Sequence, residues 1–374
     1  MNSTFAIRGT RHHTTRLAWA VTALLSLAGA LSGCSDGTCE PEGEFVARSP
    51  EIGVLALDEE AVYWTALTGP GPQQFGEIWR KAKAGGEPER LYQSEGHTFF
   101  PFPRIGVDAT HVYWLEPCSR PGATPCAEVR RVPKAGGEAQ ALVRDRVYSF
   151  AVDGDRLYYT TSNEQQREGN PSAPGADGAV WSMAKDGSGQ PVSLVSNLSK
   201  LRHLRLEGEY VYFIADRGEQ PGSVGLKAWI SRVPKTDGTV ETAALSGFPP
   251  DTFALTDQGL VFFEYRTLVK VPQGDTVPAF IHMLFENEVE GLVVSGDRAY
   301  FGDSGRGESG GGLDGEGSRY ICGAIRSLPL SGGEGKVFSD EQIRPHSLLS
   351  DGAMLYWVSA EPGYEFAAIR RSPL

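Results

Sequence analysis

The sequence predicts an all-β fold, a seven-bladed β-propeller built from four-stranded antiparallel blades. Three observations predict it. First, an apolar residue followed by an aromatic-type pair recurs seven times, as Val62-Tyr63-Trp64, Val112-Tyr113-Trp114, Leu157-Tyr158-Tyr159, Val211-Tyr212-Phe213, Leu260-Val261-Phe262, Ala299-Tyr300-Phe301 and Leu355-Tyr356-Trp357. A period of this size marks an array of units that bury their faces against their neighbours. Second, an acidic or polar residue stands five positions before the first member of each pair: Asp58, Asp108, Asp153, Glu207, Thr256, Ser295 and Asp351. Third, the last copy stops one strand short, and Phe45-Val46-Ala47-Arg48 stands where the missing strand belongs. The N-terminal strand is therefore expected to close the last blade, which leaves no unpaired ring edge. The fifth copy carries Val261 in place of Tyr, so six blades is the alternative count.

Taken in chain order, residues 1–33 read as an export signal. Arg8, Arg11 and Arg16 make a positive start, and an apolar run over 17–31 is too short for a confident membrane span. Without those three arginines the formal charge of −12 becomes −15, which argues against nucleic acid or anionic lipid as a partner. Residues 34–44 form a short acidic tether, and 45–374 form the propeller. Of the five cysteines, Cys34 adjoins the cleavage site, which leaves four for an oxidising compartment. Cys118 and Cys126 bracket one loop and are expected to staple it. Cys39, at the start of the closing strand, lies beside blade six, whose Cys322 leads into strand c; these two form the second expected pair. No Cys-x-x-Cys and no His at ligand spacing supports a metal site.

One repeat shows how the blade is made. Residues 105–107 give strand a, 112–115 strand b, 129–132 strand c and 141–143 strand d, each short, β-branched or aromatic, and bounded by turn residues. Gly136-Gly137 turns strand c into strand d, and Gly85-Gly86 and Gly332-Gly333 repeat the device. Successive strand residues point to opposite faces, so Tyr63 and Trp64 are expected to face different neighbouring blades and fill the space between them. A basic residue occupies the third position of strand c in five copies: Arg80, Arg131, Arg232, Lys270 and Arg371. It reads either as a binding stripe or as an inter-blade contact with its charge on a carboxylate of the next blade. A position repeated around a ring serves the ring, which favours the contact.

Two resemblances add to this. Leu31-Ser32-Gly33-Cys34 resembles a bacterial lipobox, which implies lipidation of Cys34; Ser35 after it implies the outer membrane. The competing reading is an ordinary signal peptide with an incidental cysteine. Tyr63-Trp64-Thr65-Ala66, with Ile78-Trp79-Arg80 after it, resembles the YWTD repeat of low-density-lipoprotein-receptor-type propellers and is similar to TolB-like bacterial propeller lipoproteins. The Asp of that motif stands only at Asp303, and those families usually have six blades. The resemblance implies architecture, with no ligand or catalytic set attached.

Function is therefore sought on the surface. The b–c connections are long and irregular (67–76, 118–126, 162–178, 216–227 and 304–323), whereas the a–b and c–d turns are tight. Long loops on a rigid scaffold carry binding residues, so the b–c/d–a face is the candidate face. At the channel mouth the residues before each strand a include Arg104, Ser149, His203, Thr252, Glu290 and His346. Arg104, His203 and His346 are candidate ligand contacts there, although imidazoles at such rims more often bond neighbouring backbone. Phe99, Phe100 and Phe102 read as an apolar docking patch or as a lid over the adjacent blade. No nucleophile elbow, zinc-binding helix or phosphate loop is present, so no catalytic residue and no cofactor is assigned. The expectation is a lipid-anchored, non-enzymatic scaffold for another envelope protein. The alternative is a glycan- or small-molecule-binding protein, or a lyase or hydrolase, using the channel mouth.

Overall fold

The computed structural model describes residues 39–374 apart from 71–72, 97–102, 118–126, 162–177, 218–224, 237, 266, 284–288, 305, 309–318 and 364. Among the described residues every regular element is a strand. Apart from a two-stranded ribbon of Arg306–Glu308 and Arg319–Ile321, the described strands pair antiparallel into seven four-stranded units, consistent with the seven repeat copies. Blade one comprises Glu51–Leu57, Ala61–Thr68, Phe75–Ala82 and Glu89–Gln93 as strands a to d. Blade two comprises Ile105–Val107, His111–Pro117, Ala127–Pro133 and Gln140–Asp145. The weak fifth copy still makes a full sheet, from Phe253–Thr256, Gly259–Glu264, Thr267–Pro272 and Ala279–Met283. Blades three and four share one 16-residue strand, Val192–Glu207, which serves as strand d of one and strand a of the other.

The last blade contains His346–Ser350, Met354–Ala360 and Ala367–Pro373, and Glu44–Ser49 adds to its outer edge. That strand pairs with strand c in register Glu44 to Arg371 and Ser49 to Ala367. Glu44–Ser49 thus closes the ring. The expected bond between Cys39 and Cys322 is present, with Cα atoms 5.7 Å apart. The stretch assigned to the tether includes residues 39–43, and these run along the outer strand of blade six, Lys336–Gln342. Asp340 donates its N–H to the Glu42 carboxylate (2.9 Å), and the Gln342 amide donates to the Glu42 carbonyl (3.1 Å). Gly43 then passes against Trp357 with φ +105°; a Cβ there would sit 2.7 Å from the indole, so only glycine fits. Cys34, Cys118 and Cys126 lie outside the described residues.

Seven apolar clusters fill the seams, one for each pair of adjacent blades, including seven to one. The aromatic pairs divide between them as strand alternation requires. Tyr63 packs toward blade two with Val112, Trp114 and Val132, whereas Trp64 packs toward blade seven with Tyr356 and Ile369. Trp64, Trp114 and Trp357 are buried almost completely, so the pairs are core.

The conserved spacing of the acidic residue has a second cause. Oδ1 of Asp58 accepts the N–H groups of Glu60 and Ala61 and so shapes the a–b turn. Oδ2 accepts the Tyr63 phenol (2.8 Å) and the ammonium of Lys134 from blade two (2.5 Å). The same latch joins Lys185 to Asp108 (2.6 Å), Lys235 to Asp153, and Lys83 to Asp351 across the closing seam (2.6 Å). Where the lysine position holds Gln273, Leu330 or Leu374, the facing acidic position holds Glu207, Thr256 or Ser295 instead of Asp. Both halves of the latch are lost together where Thr256 meets the Leu330 position and Ser295 the Leu374 position, and at the third seam a glutamate meets Gln273.

Three members of the basic stripe of strand c make an inter-blade contact, but with a different partner from the one expected, whereas Arg232 and Lys270 bond Glu241 and Gln258 of their own blades. Nη1 of Arg131 donates to the Lys185 carbonyl of the next blade (2.7 Å), Arg371 to the Lys83 carbonyl (3.2 Å), and Arg80 to the Lys134 carbonyl. Their carboxylate or amide partners lie on the outer strand of the same blade: Glu89 for Arg80, Gln140 for Arg131, Glu44 for Arg371. The neighbouring blade's carboxylate is already taken by the lysine latch.

Asp351 illustrates the energetics. Partial burial pushes its carboxyl up, but the Lys83 ammonium and two backbone N–H groups outweigh that and hold it at about 2. A carboxyl held below its unfolded value contributes stability above about pH 4, and the contribution is lost as pH falls toward about 2. A Lys83→Met/Asp351→Asn double-mutant cycle is expected to give a coupling of about 1 kcal/mol at pH 7. Urea unfolding at pH 7 and again near pH 3 checks this; coupling that fails to shrink at the lower pH would count against an ionic latch.

Candidate functional site

The inner strands leave a cavity of about 980 Å³ at the b–c/d–a end of the central channel. That is within the range of small-molecule sites. Its wall is apolar where strand a supplies Leu55, Ile105, Phe150 and Leu204, and basic where Arg104, His203 and Arg205 enter. The shared strand Val192–Glu207 delivers the last two. Its backbone takes positive φ at Asn197 (60°), Lys200 (52°) and His203 (44°), and the pairing with its neighbour shifts register between Ser199 and Leu204. Such a conformation is unfavourable for residues with a Cβ and is held by surrounding structure. Here it swings a strand that ran along the rim of blade three into the channel of blade four.

Arg104 and His203 meet across the channel, Nη2 to Nδ1 at 3.4 Å, joining blades two and four. Burial pushes the His203 imidazole down, and Arg104, Arg205 and Arg202 push it further, to about 3. At neutral pH it is therefore uncharged and free to accept from the guanidinium. Arg205 keeps accessible surface because it lines an open channel, yet protein crowds it closely enough that burial, followed by the charge of Arg104, lowers its pKa. Neither Arg104 nor Arg205 forms an ion pair with a described residue. Glu290 lines the same cavity from blade six, and Asp251 lies 3.8 Å from Arg202. In a chain of formal charge −12, this concentration of unneutralised guanidinium stands apart.

The sequence-level candidates are thus separated. Arg104 and His203 come together. His346 does not join them: its ring nitrogens lie 3.0 Å from the Arg344 carbonyl and 3.3 Å from the Ile52 carbonyl, which ties blade seven to blade one. Ser149, His203 and Glu290 sit inside strands a rather than before them, because those strands begin earlier than the repeat frame placed them. Phe99, Phe100 and Phe102 lie outside the described residues. Among the described residues no group of three or more His, Cys, Asp or Glu is placed to hold a metal ion.

Three contributors escaped the sequence reading: Arg205, Phe248 and Tyr265, which line the same cavity. Arg205 was legible as the period-two partner of His203. Phe248 stands in Ser246-Gly247-Phe248-Pro249-Pro250, an aromatic in a proline-rich d–a connection of the same kind as residues 98–103.

No protein-family model matches the chain, and no curated protein matches it. Solved structures do. The β-propeller domain of the Trilobed protease from Pyrococcus furiosus matches at a TM-score of 0.56 and 11% identity, over 86% of this chain and 97% of that one. The fold is a β-propeller. YCF48 bound to D1 peptide matches at 0.56 and 10% identity, over 91% and 99%. The AfRom2 CNH domain matches at 0.55 and 7% identity, over 90% and 98%. The Trilobed protease propeller is described as having an open velcro topology, whereas this propeller closes its last blade with its own N-terminal strand.

Proposed function

We propose that this protein is a lipid-anchored scaffold of a bacterial cell envelope, a propeller of the YWTD/TolB-like kind that binds another envelope protein without catalysing a reaction. The working face is the b–c/d–a end of the channel. The observation that carries this is the pair of unneutralised guanidinium groups, Arg104 and Arg205, at the mouth of an open cavity on an otherwise acidic protein. Unpaired cations held in a partly desolvated site lower stability, and an anionic ligand removes that cost. The export signal, the Cys34 lipobox and the Cys39–Cys322 bond support the envelope location, with the outer membrane favoured by Ser35. A fold neighbour seen bound to a peptide supports a protein partner.

The test is photocrosslinking in native envelopes, with the probe at Thr252 beside the mouth and, as control, at exposed Ala84 in a c–d turn. A partner captured from Thr252, not from Ala84, and lost in Arg104→Glu/Arg205→Glu is the expected result. Capture that is equal from both positions, or indifferent to the charge reversal, would remove the channel mouth as the binding face. The ligand-sized cavity favours a second reading, a glycan or small-molecule ligand at the same mouth. Absence of any captured protein would move the function there.

A further inference from the structure

Two aromatic side chains at the cavity rim are arranged in a way that neither core packing nor the blade frame requires. Phe248 and Tyr265 are 57% and 72% exposed, and their rings pack together with centroids 5.8 Å apart. Phe248 sits on the connection from blade four to blade five, and Tyr265 on the b–c turn of blade five. Tyr265 adopts φ 57°, a left-handed conformation that costs a bulky residue free energy.

The lip is held in place from below. The Glu264 carboxylate accepts the Ser246 hydroxyl (2.9 Å) and the Gly247 N–H, which binds the blade-four connection to the blade-five turn. The Phe248 N–H in turn donates to Ser246 Oγ (3.3 Å), and Ser246 is fully buried. A network anchored on buried Ser246 thus fixes two exposed rings beside a cationic cavity. Exposed apolar surface costs free energy in water, so a fixed arrangement of it beside a pocket marks a contact surface.

We infer that the channel mouth binds a carboxylate carried next to a flat apolar group, the carboxylate held by Arg104 and Arg205 and the apolar face laid on Phe248 and Tyr265. This rests on the reading of the mouth as a binding site and names its ligand chemistry. Guanidinium forks match a carboxylate by paired hydrogen bonds. Charge count favours a monoanion over a phosphate dianion. Glu290, paired with neither guanidinium, adds a negative charge to the same cavity, Asp251 is offset by Arg202, and His203 contributes no charge at neutral pH. The chemistry has two sources, the C-terminal end of a protein with an aromatic last residue and a free aromatic acid.

Isothermal titration of the mature protein with Ac-Ala-Ala-Phe-OH, its C-terminal amide and 3-phenylpropionate separates them. The peptide acid is expected to bind at least about ten-fold more tightly than the amide. Arg104→Met/Arg205→Met and, separately, Phe248→Ser/Tyr265→Ser are each expected to weaken it about ten-fold, with a melting temperature no lower than the parent's. The second pair is exposed, so the variant folds even if the first does not. Binding of the peptide acid alone assigns the chain-end source, and equal binding of phenylpropionate assigns the free acid. Acid and amide binding alike, or inorganic phosphate binding more tightly than either acid, overturns the inference. A partner captured from the Thr252 probe while no acid binds would leave the scaffold reading standing and remove only this one; acids binding without a captured partner would do the reverse.

Discussion

Trp114→Ala is expected to destabilise the propeller by about 3–5 kcal/mol, the range for truncating a buried aromatic. The indole is fully buried in the seam between blades one and two, 4.5 Å from the Tyr92 ring and packed with Val112, Ile78 and Val132. Its removal opens a cavity between two rigid sheets that cannot collapse into it. It also takes from Glu116 the donor at Trp114 Nε1 (3.1 Å), which leaves a carboxylate already pushed up by burial with fewer hydrogen bonds. Phe248→Ser, on an exposed ring of comparable size, is the control, expected within about 0.5 kcal/mol of the parent. Chemical denaturation of both variants decides it. A loss below about 1 kcal/mol for Trp114→Ala would mean that the aromatic pairs are not the seam core.

Removal of the Cys39–Cys322 bond is the second large effect, an expected loss of about 2–5 kcal/mol. The bond spans 283 residues, so it restricts the unfolded chain over nearly the whole propeller. It also guards the place where the ring is closed. The outer strand of blade seven is the N-terminal segment, which is otherwise held by backbone pairing, by the Arg371–Glu44 (2.5 Å) and Arg48–Glu361 (2.8 Å) ion pairs and by burial of Val46 and Ala47 in the seam. Cys39→Ser/Cys322→Ser should therefore lower the denaturation midpoint and speed hydrogen exchange in Glu44–Ser49 before other strands. Uniform exchange across all blades, with an unchanged midpoint, would show that strand pairing alone closes the ring.

Much of the candidate site was hidden for a definable reason. Arg104 and His203 were marked because charged residues just before an inner strand stand out in a repeat frame. What that frame could not show is that His203 and Arg205 arrive on a strand continuous from blade three, bent by three residues in the left-handed region. Backbone bends of that kind leave little trace in composition when the residues are not glycine. His346 carried the same signal as His203 but ends on two backbone carbonyls. Residue type and position were equal for the two imidazoles; the neighbours differed. Phe248 and Tyr265 are 17 residues apart and belong to different blades, so only the packing of blade four on blade five makes them a pair.

The sequence by itself determined the blade. Period-two alternation, the aromatic pair, the acidic residue five positions before it and the glycine turns are local, and each acts within one hairpin. It also determined the ring closure, because a repeat short of one strand at one end and a spare strand at the other admit few arrangements. The lysine latch was not legible there, because its Lys and Asp stand on different blades and meet only at the seam. Tertiary structure alone decided which charges meet. The stripe arginines bond their own outer strands and carbonyls of the next blade, whereas the latch lysines reach the aspartates of the blade before. The cationic mouth and its aromatic lip exist only where strands from blades two, four and five converge. Their chemistry depends on burial and on like charges brought close, and both are properties of the assembled ring rather than of any segment.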